Sequence, residues 1–175
     1  MGVPRDLHKS VDFYGKAATK NYPDAQYRLA ICYEEGLGGL PKAPAEAHRL
    51  YMRASAQGHL DARFAMAVCA EKGLGCEKNE VRAVKLYEEL SNLKHAPAQF
   101  KLGICYENGI CVARDQGRAV EQYRLAAEQG YARGIFCSKE EEGRRRRRRR
   151  RTREKKRRGG GEEEEKKRRR RRGRR

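Results

Sequence analysis

Small and apolar residues dominate a twelve-residue stretch that occurs three times along the chain and ends each time in glycine. The copies are Ala25–Gly36, Ala62–Gly73 and Ala98–Gly109, which begin 37 and 36 residues apart. Apolar residues recur in each copy at the spacing of three and four residues that is typical of an α-helix, and the glycine favours the left-handed turn that ends one. We name this predicted helix helix A. A fixed period of this length predicts a stacked repeat architecture.

A second predicted helix, helix B, alternates with helix A and carries a tyrosine at a fixed position. Alanine, leucine or valine residues three and four positions away place each tyrosine on an apolar stripe. We therefore expect a column of tyrosines in the core of the stack rather than an aromatic ligand cage. The tyrosines, spaced by 37, 36 and 36 residues, are Tyr14, Tyr51, Tyr87 and Tyr123.

Residues that favour helix ends separate the two predicted helices. Helix B is predicted to begin at Pro44, or after Asn79 and Asp115 as N-caps. It is predicted to end at a residue that accepts a left-handed turn cheaply, which is Asn21, Gly58 or Gly130. Lys94 holds this position in one repeat, so there either the turn differs or the lysine is strained.

Helix A has small or apolar residues on most of its surface, so only neighbouring helices in a stack can bury it. The runs Ala98-x-x-x-Leu102-Gly103-x-x-Tyr106-x-x-Gly109 and Ala119-x-x-x-Tyr123-x-x-Ala126-Ala127-x-x-Gly130 resemble the Sel1-like repeat, a relative of the tetratricopeptide repeat. The resemblance implies an all-α, right-handed solenoid of antiparallel helix pairs, with helix A on the concave side. It also implies a non-enzymatic scaffold or adaptor that binds a peptide or a partner protein.

The repeat boundaries divide the chain into six predicted segments. Both predicted ends fall inside a repeat, so we expect the chain to be part of a longer repeat protein. In order, the segments are helix B of a truncated leading repeat at 1–22, three repeats at 23–59, 60–95 and 96–131, the start of an incomplete fourth repeat at 132–138, and a low-complexity tail at 139–175.

The tail carries most of the formal net charge of +18, because residues 139–175 hold 23 of the 42 Lys and Arg residues but only 8 of the 24 Asp and Glu residues. A segment of Arg, Lys, Glu and Gly lacks the apolar residues that offset ordering entropy, so we predict disorder. Runs such as Arg144–Arg151 are typical of nucleic-acid-binding or nuclear import segments. The alternative is a translated purine-rich simple repeat without function, since purine-only codons encode these four residue types.

Cysteine and histidine offer the other candidate chemistry. Cys32, Cys69 and Cys105 share one position of helix A, which favours small apolar side chains in a tight interface over redox or metal chemistry. Resemblance to the cysteine-rich secreted members of the repeat family implies an alternative, a disulfide between Cys69 and Cys76. The four histidines, at positions 8, 48, 59 and 95, are scattered, and His59 and His95 are predicted to be surface residues in the turn after helix B. The sequence contains no catalytic, cofactor or metal motif, which predicts a protein that is not an enzyme.

The polar positions of helix A are the predicted contacts for a partner, and ordinary solvated side chains are the alternative. The predicted partner-binding residues are Gln26, Arg28, Arg63, Gln99 and Lys101, with Glu34, Glu71 and Glu107 near the rim. The chain has no apolar run long enough to span a membrane.

Cellular location is predicted from the start of the sequence and from short sequence motifs within the repeats. The first residues lack a secretory signal, which predicts an intracellular protein with reduced thiols, cytoplasmic or mitochondrial, or nuclear through its tail. The segments Ala30–Gly38 and Gly103–Gly109 resemble repeats of the vertebrate death-ligand-signal enhancers. That resemblance implies a mitochondrial protein that takes part in stress and cell-death signalling through protein partners.

Overall fold

The computed structural model describes residues 4–131, with side chains from residue 7 onward. The predicted start of a fourth repeat and the basic tail lie outside the described residues. Within residues 4–131 the chain forms seven α-helices and no strand. They are α1 (Pro4–Thr19), α2 (Pro23–Glu35), α3 (Pro44–Ala56), α4 (Leu60–Lys72), α5 (Glu80–Asn92), α6 (Ala96–Asn108) and α7 (Gln116–Glu128).

The helices alternate between the two predicted types and pack in chain order. Helices α2, α4 and α6 are helix A of successive repeats, and α1, α3, α5 and α7 are helix B. Each helix packs on the one before it and the one after it. Both sides of each helix A are therefore covered, as its apolar composition requires. The predicted all-α solenoid of helix pairs is confirmed.

The tyrosine column fills the space between helix A and helix B of each repeat. Tyr51, Tyr87 and Tyr123 are each 1% exposed, which confirms their place in the core. Helix A meets the ring with a small residue, and a Cβ added at Gly103 would lie only 2.6 Å from Tyr123 Cε1. Burying one large side chain of this kind contributes roughly 2–3 kcal/mol. Alanine or glycine on helix A and tyrosine on helix B therefore form one packing unit.

The prediction of a buried tyrosine is wrong for Tyr14, which is partly exposed. Its helix, α1, is a helix B like α3, α5 and α7, but among the described helices only α2 packs extensively on it. Among residues 4–131, no helix A lies on the side of α1 that corresponds to the covered side of α3. Within that part of the chain, Tyr14 consequently lacks the neighbour that buries the other three tyrosines.

Left-handed residues end the helices at the positions that the sequence predicts. Each helix A ends at a glycine with φ of 70–73°, whose N–H donates to the carbonyl of the cysteine four residues earlier. The turns after helix B contain Asn21, Gly58, Lys94 and Gly130, all at positive φ. Lys94 has φ of 60°, so its turn is the same as in the other repeats and the lysine carries the strain.

Helices α4, α5, α6 and α7 begin with side-chain N-caps of two kinds. Asn79 and Asp115 accept backbone N–H bonds at the start of α5 and α7, which confirms them as N-caps. The prediction that His59 and His95 are surface residues is wrong, because His59 is partly buried and His95 is only 9% exposed. Their Nδ1 atoms accept the backbone N–H groups of Ala62 and Ala98, so the two histidines cap α4 and α6.

Among the helices that the structure describes, none has the length and apolar character needed to cross a membrane.

Candidate protein-binding surface

Each helix A presents four positions of one face to solvent. The positions follow the spacing i, i+1, i+4 and i+8, which places them within about a third of the helix circumference. All twelve side chains are partly or fully exposed. We name this set the helix-A surface; it comprises Tyr27, Arg28, Ile31 and Glu35 on α2, Phe64, Ala65, Val68 and Lys72 on α4, and Phe100, Lys101, Ile104 and Asn108 on α6.

Residues at equal positions of the three helices form rows across the stack. One row is apolar, with Ile31, Val68 and Ile104 partly buried against the core clusters. The row beside it carries cations at both ends, Arg28 and Lys101, with a small alanine between them. The helix-A surface therefore combines an apolar centre with separated positive charges.

The rim glutamates accept hydrogen bonds from the buried tyrosines. Tyr51 donates its hydroxyl to Glu34 at 2.6 Å, and Tyr87 donates to Glu71 at 2.8 Å. Tyr123 donates to Glu107 at 2.7 Å. Each of these glutamates therefore joins helix A to helix B of the same repeat through one carboxylate oxygen. Each also lies beside the helix-A surface. Their predicted role in partner binding stays a prediction.

Lys101 joins two neighbouring repeats. Its ammonium group lies 2.7 Å from Glu71 Oε2, and both side chains are about a quarter to a third exposed. Burial alone would raise the pKa of Glu71, but the bonds from Lys101 and Tyr87 outweigh it and hold the pKa below its usual value. Ala65 takes the position of Lys101 in the preceding repeat, so among the described repeats this ion pair joins α4 and α6 but has no counterpart between α2 and α4.

Gln26 and Gln99 lie inside the stack, 0% and 2% exposed, and are not available to a partner in the folded chain. The Gln26 carbonyl oxygen accepts from Gln57 at 2.8 Å, and the Gln99 oxygen accepts from Gln129 at 2.7 Å. Each bond joins the start of a helix A to the residue that follows helix B of the same repeat. Gln57 and Gln129 thus satisfy the buried amide oxygens of Gln26 and Gln99, as buried amides require.

The two predicted arginines differ in exposure. Arg28 is exposed, and Arg63, which takes the position of Gln26 in the next repeat, is partly buried. Partner binding by either residue stays a prediction. Leu93 takes the place of Gln57 in that repeat, so both members of the glutamine pair change together.

Aromatic rings form a repeated cluster at the other end of helix A. The ring of Phe64 lies 5.8 Å from Tyr87 and 5.2 Å from His95, and the ring of Tyr27 makes the equivalent contacts with Tyr51 and His59. Spacings of this size are favourable for tilted aromatic pairs. The aromatic residues of the helix-A surface, Tyr27, Phe64 and Phe100, are therefore held in position by contacts with the buried tyrosines.

The capping histidines also join repeats to each other. His95 Nε2 lies 3.0 Å from Asp61, and His59 Nε2 lies 3.1 Å from Asp24. Since Nδ1 accepts a backbone N–H, the proton is on Nε2, which donates to the carboxylate of the preceding helix A. These histidines are thus structural links between repeats.

The buried cysteines are free thiols with suppressed reactivity. Cys69 and Cys76 are not joined by a disulfide, so the alternative that rests on the cysteine-rich relatives is wrong for this structure. Burial raises the pKa of Cys69 to about 12 and that of Cys105 to about 11. Burial also raises the pKa of Cys32. A thiol with a raised pKa contributes little thiolate near neutral pH, in keeping with a packing role.

Within the described residues, no group of three His, Cys, Asp or Glu side chains is placed to hold a metal ion. The polar side chains there are arranged in caps, inter-helix bonds and ion pairs. The helix-A surface therefore provides an apolar contact area with charged side chains beside it.

Sequence reasoning missed the partners of these polar side chains. One signal was present, because glutamate and tyrosine recur together in three repeats, 17, 16 and 16 residues apart. A second was the joint replacement of the glutamine pair by Arg63 and Leu93. The links of His59 and His95 to aspartates 35 and 34 residues earlier have a weaker signal, since only two repeats contain them.

The repeats of this chain match the sequence pattern of one known repeat family. The Sel1 repeat profile matches residues 1–22, 23–59, 60–95 and 96–131. Protein SHC1 of Saccharomyces cerevisiae is 49% identical over 41 residues, which are 23% of this chain and 8% of that protein. The chain therefore matches only a small part of its curated relative.

Two solved structures show the same architecture. A Sel1 repeat protein from Oxalobacter formigenes superposes with a TM-score of 0.69 at 29% identity, over 75% of this chain and 53% of that one. Cysteine rich protein B of Helicobacter pylori superposes with a TM-score of 0.57 at 18% identity, over 77% of this chain and 96% of that one. The second likeness is one of fold alone. The chain spans about half the length of the first structure.

Proposed function

Because the chain belongs to the Sel1 repeat family, we propose that it is a protein-interaction scaffold that binds its partner on the helix-A surface. The Sel1 repeat fold commonly mediates protein–protein interaction, and its members are generally non-enzymatic scaffolds. The chemistry of the described residues agrees with this role, because their polar groups are arranged for contact and for joining helices.

The apolar row of the helix-A surface is the observation that carries the proposal. Ile31, Val68 and Ile104 take equal positions on α2, α4 and α6 and keep part of their surface exposed. Each side chain packs partly against the core and leaves the rest of its apolar surface available for contact with a partner. Apolar side chains in a row, flanked by separated charges, favour a peptide segment or a helix as occupant.

Charge favours an occupant with acidic residues on either side of its apolar anchors. Arg28 and Lys101 lie at opposite ends of the row beside the apolar one. Lys101 is neutralised in part by Glu71, while Arg28 is exposed and makes no ion pair within residues 7–131. We therefore expect Arg28 to contribute more to partner recognition than Lys101.

Selection from a displayed random peptide library tests the proposal without knowledge of the natural partner. The substitutions Arg28→Glu and Ala65→Glu alter the helix-A surface at side chains that are not part of the tyrosine column. We expect each to weaken the binding of selected peptides by at least about tenfold, a cost of roughly 1.4 kcal/mol. Fluorescence anisotropy with each purified variant measures the effect.

Met52→Glu and Arg53→Glu are the matched controls, because both residues are exposed on α3, a helix B. They should leave peptide binding unchanged. Peptides that bind all four variants with the affinity of the wild type would place recognition elsewhere and refute the proposal.

A mitochondrial role in stress and cell-death signalling is part of the same proposal and rests only on the wording of the repeats. A tagged full-length chain that stays outside mitochondria in vertebrate cells would argue against that role. The scaffold function does not depend on it.

The basic tail supports a second candidate function, binding of nucleic acid or nuclear entry through its 23 Lys and Arg residues. Binding of this kind depends on phosphate contacts and therefore weakens steeply as salt rises. Removal of residues 139–175 should abolish it, whereas peptide binding by the repeats should survive. Nucleic-acid binding that does not depend on salt and persists after removal of residues 139–175 would exclude the tail as the binding segment.

A further inference from the structure

An ion pair joins α6 to α4, and the equivalent place between α4 and α2 holds only its acidic member. Lys101 Nζ lies 3.1 and 2.7 Å from the two carboxylate oxygens of Glu71. One period earlier, the residues at these positions are Ala65 and Glu34, which we name the Glu34–Ala65 site. Because alanine has no charge, this site has the carboxylate of the pair without its cation.

The two carboxylates are held in the same way inside their repeats. Tyr51 donates its hydroxyl to Glu34 Oε2 at 2.6 Å, and Tyr87 donates to Glu71 Oε2 at 2.8 Å. Both glutamates are partly exposed. Within residues 7–131, the bond from Tyr51 is the one hydrogen bond of the Glu34 side chain, which makes no ion pair there. Glu34 Oε1 is therefore left to accept a bond from outside the described chain.

The helices are also placed alike at the two steps of the stack. His59 Nε2 lies 3.1 Å from Asp24, and His95 Nε2 lies 3.0 Å from Asp61, so each link joins the start of one helix A to the helix A before it. Because these links set the same register, Ala65 takes the place of the lysine. Ala65 is partly exposed, so a bound segment can reach the carboxylate beside it.

We propose that the Glu34–Ala65 site binds a lysine or arginine side chain of the partner segment that lies on the helix-A surface. The site depends on the proposed function, because it names the chemistry of one anchor of the same partner. The cationic group donates to Glu34 Oε1, beside the oxygen that accepts the Tyr51 hydroxyl. Its aliphatic stem packs over Ala65, whose small side chain leaves room for it.

The row of Arg28, Ala65 and Lys101 sets the order of charges in the partner. The two cations at its ends favour acidic residues, and Glu34 beside its centre favours a basic one. The partner segment therefore carries one basic residue between two acidic ones, next to its apolar anchors. A uniformly acidic or uniformly basic segment would place like charges opposite each other and bind less tightly.

Peptides selected on the wild-type chain from the displayed random library are the probe. Among peptides that Arg28→Glu and Ala65→Glu weaken, we expect Lys or Arg to be enriched at one position. Replacing that residue with glutamine should raise the dissociation constant at least about fivefold on the wild type. The same replacement should have little effect on Glu34→Gln, which keeps an amide oxygen for the Tyr51 hydroxyl but has no charge.

Glu89→Gln is the matched control, because it removes the same charge from an exposed residue of α5, a helix B. It should keep the fivefold effect. Peptides that bind the helix-A surface with no enriched basic residue, or with one whose replacement costs as much on Glu34→Gln as on the wild type, would overturn the site and leave the proposed function standing. Peptides that neither Arg28→Glu nor Ala65→Glu weakens would refute both.

A lysine placed on the protein itself tests the site without a peptide. Ala65→Lys brings an ammonium group within reach of Glu34, and Ala65→Met adds an uncharged chain of similar length. The thermal midpoint of Ala65→Lys relative to that of Ala65→Met should be about 2 °C higher with Glu34 present than in the Glu34→Gln background. Equal differences in the two backgrounds would show that no cation is stabilised at this place and would overturn the proposal.

Discussion

At the scale of single residues, the tyrosine of helix B contributes both a packing contact and a hydrogen bond. Its ring fills the space over the small residue of helix A, and its hydroxyl donates to a glutamate at the end of the same helix A. Burial and the bond to the glutamate both raise the pKa of Tyr51 and of Tyr87. The ring contributes most of the stability, and the hydroxyl fixes how the two helices meet.

Tyr87→Phe removes the hydroxyl and keeps the ring. We expect the free energy of unfolding to fall by about 1–2 kcal/mol, because the bond to a partly buried carboxylate is lost. Tyr51→Phe should cost at least as much, since Glu34 has no lysine at the position that Lys101 takes for Glu71. Urea denaturation measures both, with the exposed Tyr22→Phe as the control that should change nothing. A loss no larger than that of the control would contradict the role of the bond.

The lowered pKa of Glu71 predicts a dependence of stability on acid. A carboxyl group whose pKa is lower in the folded than in the unfolded chain contributes stability above its unfolded pKa, and that contribution is lost as the pH falls through the folded value. Glu71→Gln should therefore lose less free energy of unfolding than the wild type between about pH 6 and pH 3. The exposed Glu35→Gln should follow the wild type. Parallel curves for all three proteins would refute the prediction.

At the scale of helices and turns, the sequence predicted more than it did at the scale of side-chain partners. The period, the two helix types and the left-handed helix ends follow from local rules of backbone geometry, which Gly36 and Gly58 obey on their own. The partner of a polar side chain depends on packing across a whole repeat. Glu71 is an example, because its sequence position suggested a rim contact and only the fold shows the bonds to Tyr87 and Lys101.

The strained turn at Lys94 offers a test at this scale. Lys94→Gly should raise the free energy of unfolding by about 0.5–1 kcal/mol, because glycine adopts a positive φ without strain. Gly58→Ala at the equivalent turn should lower it by about 1 kcal/mol. A Cβ at Gly58 meets no atom within 4 Å, so the effect would come from the backbone alone. Thermal and urea unfolding report both, and effects of the opposite sign would contradict the account.

His48 is a second local defect, on α3. Its Nδ1 atom is buried without a hydrogen-bond partner in the described chain, and burial lowers its pKa. Valine takes the same position in α1, α5 and α7, as Val11, Val84 and Val120. His48→Val should raise the free energy of unfolding by about 1–2 kcal/mol, since an unsatisfied polar group is removed. A destabilised variant in urea denaturation would show that the histidine has a partner in solution.

At the scale of the whole molecule, the described repeats form a stack in which each helix A carries the residues of the helix-A surface. The sequence was sufficient for the solenoid, because a repeated pattern reports the same neighbours several times. It was insufficient to predict which side chains of helix A are exposed, because exposure within a stack depends on both adjacent helices. Gln99 is polar but buried, whereas Ile104 is apolar but partly exposed. The residues of helix A that are exposed in the stack therefore differ from those that polarity alone suggests.

The measurement that tests the central proposal most directly is the change in backbone amide chemical shifts of the labelled protein as a selected peptide is added. The proposal predicts shifts concentrated on α2, α4 and α6, at Arg28, Ile31, Val68 and Ile104 and their neighbours. Residues on the outer side of α3 and α5, such as Met52 and Val81, should stay unchanged. Shifts confined to α3, α5 and α7 would contradict the assignment of the helix-A surface as the binding site.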